Sequence, residues 1–152
     1  MIDIAKACEE FDDFLVVMDD QLDRLEDKAS GHGVQLDLTM NSLENLESLF
    51  FTLADNADED RRESLIVTFA RHVGEIVRIS YGGQWKLSLD DPRNVYYSLP
   101  VIAGHTAMLD LEFSPIDAMH AVWLRRRPGL LRQIIMADIE PVDLDIDHLV
   151  EE

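Results

Sequence analysis

Ile4, Cys8, Phe11, Leu15, Met18, Leu22 and Leu25 follow one another at alternating steps of four and three residues. That spacing brings an apolar side chain back to one face every turn, and it predicts a long helix from about Asp3 to Lys28. Phe14 and Val17 widen the stripe, and Glu9, Asp12, Asp13, Asp19, Asp20, Asp23 and Asp27 fill the opposite side. A wide apolar face is the pattern of a helix packed on its own domain. A coiled-coil contact with a second chain is the other use of such a stripe. Cys8 lies within it and is expected to be a small, inert core residue. Ser30-Gly31-His32-Gly33 ends the helix, with glycine available for a left-handed cap.

A second helix is predicted over Asn41–Ala54, with Leu43, Leu46, Phe50 and Leu53 on one face and Thr39 or Asn41 as its cap. A third runs over Glu59–Ser80, buries Ile66, Phe69, Val73, Ile76 and Val77, and stops at Gly82 or Gly83. Then the period changes from about 3.6 to 2. Trp85, Leu87 and Leu89 alternate with Lys86, Ser88 and Asp90, the signature of a half-buried strand. Asp90-Asp91-Pro92-Arg93-Asn94 is a turn cluster, and Val95–Ile102 reads as a second strand, interrupted or edged by Pro100. Met108–Phe113 alternates again as a third. Ser114-Pro115-Ile116-Asp117 combines an N-cap, a first-position proline and an acidic first turn, so a helix should run from there to about Arg126. A short helix follows from Pro128 to about Ala137. Val142, Leu144 and Ile146 then alternate with aspartates as a late edge strand or an acidic extension.

Helices first, a run of short strands next, helices last: the expected class is α+β, with about three N-terminal helices, a small antiparallel meander of about three strands, and one or two C-terminal helices. The 152 residues, 47% of them hydrophobic, suffice for one core. No repeat or linker divides them, so residues 1–152 read as one domain. Within it lie an acidic helical part (1–60), a helix–sheet–helix core (61–137) and an acidic tail (138–152).

Charge alters the picture more than composition does. The formal net charge is −18, from 31 acidic and 13 basic residues. It is distributed as −14 over residues 1–60, +3 over 61–133 and −7 over 134–152. Such a balance opposes binding to nucleic acid phosphates and to anionic membranes. One cysteine allows no internal disulfide, no apolar run approaches the ~18 residues of a membrane span, and the first residues lack a basic signal-peptide region. A cytoplasmic location is expected. Solvated acidic faces account for solubility; an acidic face that docks a basic protein is the functional alternative.

No local catalytic signature is present: no phosphate-binding glycine loop, no nucleophile elbow and no His-Glu-x-x-His. That leans away from an enzyme, and neither a cofactor, a metal nor a catalytic residue is assigned. Asp143-x-Asp145-x-Asp147 opens like a calcium loop, but position six is His148 rather than glycine. His72 and Glu75 stand three apart on one helix without a third ligand at a helpful spacing, so a hydrogen-bonded structural histidine is expected. Arg125-Arg126-Arg127 is the densest basic spot, favoured at a helix C-terminus and otherwise an anion site. Glu75, Arg78 and Arg71 share a helix face at ion-pair spacing.

The stretch Gly74-Glu75-Ile76-Val77-Arg78 to Gly82-Gly83-Gln84-Trp85 is a helix end, a glycine reversal and a strand start, with Trp85 able to pack back on the helix. Together with the later Ser-Pro-x-Asp helix start it resembles a group of small bacterial domains of unknown function. Some of these accompany toxin genes as immunity proteins. The resemblance spans residues 66–135, about half the chain, and carries over no catalytic residue.

Three functions follow as expectations. The first is a non-enzymatic acidic binding protein, of the immunity or antitoxin kind, that occludes a basic partner through Asp12, Asp13, Asp19, Asp20 and Asp23. The second is a structural or regulatory homo-oligomer joined through the first helix. The third is a small-molecule binder or enzyme using Glu75, Arg78, Tyr81 and Trp85 around the glycine corner.

Overall fold

A computed structural model describes residues 3–107 and 111–139. Its elements run α1 (Ile4–Val16), α2 (Met18–Gly31), a 3₁₀ turn (Met40–Ser42), α3 (Leu43–Ala54), α4 (Glu59–Tyr81), β1 (Gln84–Leu87), β2 (Pro100–Ala103), β3 (Glu112–Phe113), α5 (Pro115–Arg125) and α6 (Leu130–Ile139). The class is α+β. No helix among the described residues is long and apolar enough to cross a membrane.

Helix α4 is the axis. The Asp58 carboxylate accepts from the Arg61 N–H at its start, and Gly82, at φ 91°, closes its end. Ile66, Phe69, Ala70, Val73, Ile76 and Val77 are wholly buried and meet α2, α3, α5 and β2 in one apolar cluster. β2 is the central strand, antiparallel to both neighbours, with Trp85 opposite Ile102 and Ile102 opposite Phe113. Ser114 caps α5 by accepting from the Asp117 N–H, with Pro115 in the first turn.

The cap of α6 comes from far away in sequence. Glu47, buried on α3, accepts from the Gly129 and Leu131 N–H groups at 3.0 and 2.9 Å. A carboxylate there satisfies orphan donors and meets the positive end of the helix dipole. Glu112 organises the long β1–β2 connection in the same manner, accepting from Ser88 Oγ and Asn94 Nδ2, both at 2.8 Å.

Several expectations need correction. The first helix breaks at Val17, where φ and ψ are −90° and 4°, although i→i−4 bonds continue on either side (Val17 to Asp13, Gln21 to Val17). The buried line runs through Phe14, Met18, Leu22, Leu25 and Ala29, with Phe11 half-buried. Ile4 and Leu15 remain exposed, and so does Cys8, which is not a core residue. Within α1 the flank residue Phe14, seated against Trp85, faces inward in place of Leu15, whereas from Met18 onward the expected stripe (Met18, Leu22, Leu25) faces the core. Pro100 opens β2 rather than interrupting a strand from Val95, and residues 94–99 are turns. Proline there meets the ladder at its end, where no inner donor is lost. Met108–Asp110 of the third predicted strand, and the acidic alternation at 142–147, lie outside the described residues.

Candidate functional site

The five aspartates expected to form a binding face, Asp12, Asp13, Asp19, Asp20 and Asp23, are all exposed along α1 and α2. Among the described residues none of them forms an ion pair. Helical neighbours stand three and four residues apart, so the positions around Val16 are 12, 13, 19 and 20. All four are aspartate. Val16 is 82% exposed, with Asp12 and Asp13 on its own helix and Asp19 and Asp20 in the first turn of α2 beyond the Val17 break. Like-charge neighbours at Glu9–Asp13, Asp19–Asp23 and Asp23–Asp27 each disfavour the helix by ~0.2–0.5 kcal/mol. The ridge therefore carries repulsion that a cationic surface would relieve.

These aspartates are among the residues expected from sequence, and Val16 is not. The spacing of 12, 13, 19 and 20 around position 16 is legible in the sequence, but the heptad pattern assigns Leu15, not Val16, to the apolar face. Beside the ridge Ile4, Cys8 and Leu15 form a second exposed apolar strip.

Three residues of the glycine corner form one interlocked unit. The Glu75 carboxylate accepts from Arg78 Nε and Nη2 at 2.8 and 2.9 Å and from Trp85 Nε1 at 2.8 Å. Burial raises the Glu75 pKa, but the bonds from Arg78 and Trp85 outweigh it and hold the carboxyl below its ordinary value. Gly74 is where the indole crosses α4: a Cβ there would stand 2.2 Å from Trp85 Cη2 and Cζ2. Gly83, at φ 95°, has no room for a side chain against the Ala103 carbonyl at 2.7 Å. Tyr81 turns away and donates to the Met136 sulfur at 3.4 Å. The unit fastens the sheet to α4, with its carboxylate already engaged.

Arg71, expected beside Glu75, instead lies over the Phe14 ring at 4.6 Å. Its Nε is sealed from solvent without an acceptor, and among the described residues it has no ion pair. It borders a groove of about 440 Å³ between α1, α4 and the β1–β2 connection. A second cavity, of about 520 Å³, lies between α3 and the α5–α6 junction and holds Glu44, Glu47, Asp55 and Arg126.

His72 is wholly buried and donates from Nε2 to the Asp37 carbonyl at 2.9 Å, as a structural histidine would. Burial pushes its pKa down, against the Asp37 bond and the charges of Glu26, Asp37 and Glu75. Among the described residues no three His, Cys, Asp or Glu side chains converge as metal ligands. In the arginine run, Arg126 takes a left-handed cap at φ 53°, pairs with Asp55 at 2.9 Å and stacks on Phe51 and Trp123. No family model, curated protein or solved structure matches the chain.

Proposed function

We propose that this chain is a non-enzymatic binding protein whose α1–α2 ridge docks a basic protein surface. The observation that carries the reading is Val16, exposed among four unpaired aspartates. Interfaces commonly combine a desolvated apolar centre with a polar rim. Here the rim is of one sign, which steers a basic partner and speeds encounter at low salt. Occlusion of a basic groove on a toxin-like enzyme is the specific form of this reading, suggested by the resemblance of the Gly74–Trp85 corner to small bacterial domains of the immunity kind.

The test is capture from the native host with wild type, Val16→Arg and Asp12→Asn/Asp19→Asn/Asp20→Asn, at low and at high salt. One basic protein retained by wild type at low salt, and lost with both variants, supports the reading. Equal retention by all three refutes it. A second reading, self-association, draws on the exposed strip of Ile4 (50%), Cys8 and Leu15 (38%). Sedimentation at micromolar concentration decides it: a dimer abolished by Leu15→Glu supports it, and a monomer removes it.

A further inference from the structure

The groove beside α1 combines three chemistries. Phe11, Val67 and Leu99 contribute to its apolar walls, Arg71 brings a guanidinium, and Glu10 and Asp13 bring carboxylates. The opposite charges do not meet: no contact within 4.0 Å joins Arg71 to either acid. Glu10 has only Lys6, at 4.0 Å and largely in water, and Asp13 has no ion pair among the described residues. Arg62 is likewise half-buried and without an ion pair among the described residues, but only Arg71 among the described arginines has a buried Nε with no hydrogen-bond partner. A guanidinium stays charged under these conditions, and its fork suits a carboxylate held in two bonds. The volume, about 440 Å³, falls within the ~300–1,000 Å³ range of small-molecule sites.

We infer that this groove binds a zwitterionic α-amino acid with a large apolar side chain. The ligand's carboxylate meets Arg71, its ammonium meets Asp13 and Glu10, and its side chain lies against Phe11, Val67 and Leu99. A simple organic anion would face the two carboxylates, and a simple amine would face Arg71. Only a molecule carrying both charges leaves none of the three groups opposed. The site shares Asp13 with the proposed docking ridge but does not rest on that reading, and it stands if no protein partner exists.

The probe is L-phenylalanine, titrated by calorimetry into the intact chain, with L-phenylalaninamide and N-acetyl-L-phenylalanine as the forms lacking one charge. Saturable binding of the free amino acid is expected, with at least about tenfold weaker binding of each derivative. Arg71→Gln should weaken binding by about tenfold or more while leaving the circular dichroism unchanged. Val67→Phe, which fills the groove from α4, should abolish it in a chain that still melts cooperatively. No saturable binding by folded wild type overturns the inference. So does a derivative that binds as tightly as the amino acid, or an Arg71→Gln variant that binds as wild type does.

Discussion

Gly74→Ala separates two effects of opposite sign. In a helix interior alanine is favoured over glycine by about 1 kcal/mol, so propensity alone predicts stabilisation. The structure predicts the reverse. The new methyl would stand 2.2 Å from Trp85 Cη2 and Cζ2 and 3.2 Å from Pro115 Cγ, and an indole wedged against α4 has no flexible end to yield. If the ring swings away, the 2.8 Å bond from Trp85 Nε1 to Glu75 is lost. Hydrogen bonds to charged groups contribute ~1.5–3 kcal/mol. The edge contact of Trp85 with Phe14, centroids 5.0 Å apart, is lost as well, at ~0.5–1.5 kcal/mol. Set against the propensity gain, the net loss is roughly 1–3.5 kcal/mol, with about 2 as a central value. For a chain of this length each kcal/mol moves Tm by ~2–4 °C, so thermal unfolding should fall by roughly 4–8 °C. Trp85 fluorescence should shift in the same variant. Gly31→Ala is the control: it ends α2 with nothing within 4 Å of its added methyl and should leave Tm unchanged or slightly raised. An unchanged or higher Tm in Gly74→Ala would refute the wedge.

Glu47→Ala removes both acceptors at the start of α6 and leaves the Gly129 and Leu131 donors unpaired. It should destabilise by ~1–3 kcal/mol in urea unfolding, and an unchanged midpoint would show that water replaces the carboxylate at no cost. The His72 pKa is lowered by burial, so below about pH 6.5 the unfolded chain takes up a proton that the folded chain resists. That contribution to stability is complete above this pH and declines as pH falls towards the folded value. The urea midpoint should drop between pH 7.5 and 5.5, and His72→Gln should flatten the drop; an equal slope in the variant overturns the argument. Glu75, lowered by Arg78 and Trp85, adds a further loss as pH falls below about 4.5.

Periodicity and end signals determined much of this protein. The 3.6-residue spacing of Ile66, Phe69, Val73 and Ile76 defined α4 and its buried face. Ser114 and Gly82 marked helix ends, because a cap acts through neighbours a few residues away and is written in local sequence. The change to period two announced the sheet, and charge counting located the acidic ridge. Tertiary structure decided what depends on residues distant in the chain. Whether Leu15 or Phe14 faces inward turns on a ring contact with Trp85, seventy-one positions after Phe14. Glu47 reads as a surface acid on an amphipathic helix until α6 is brought to it. Arg71 and Glu75 sit at ion-pair spacing, yet Arg78 and an indole from β1 claim the carboxylate and leave the guanidinium over Phe14. A helix face offers several partners at the same spacing, and local sequence does not rank them. Packing does, since burial favours the arrangement in which each polar group finds a partner and each ring finds a surface.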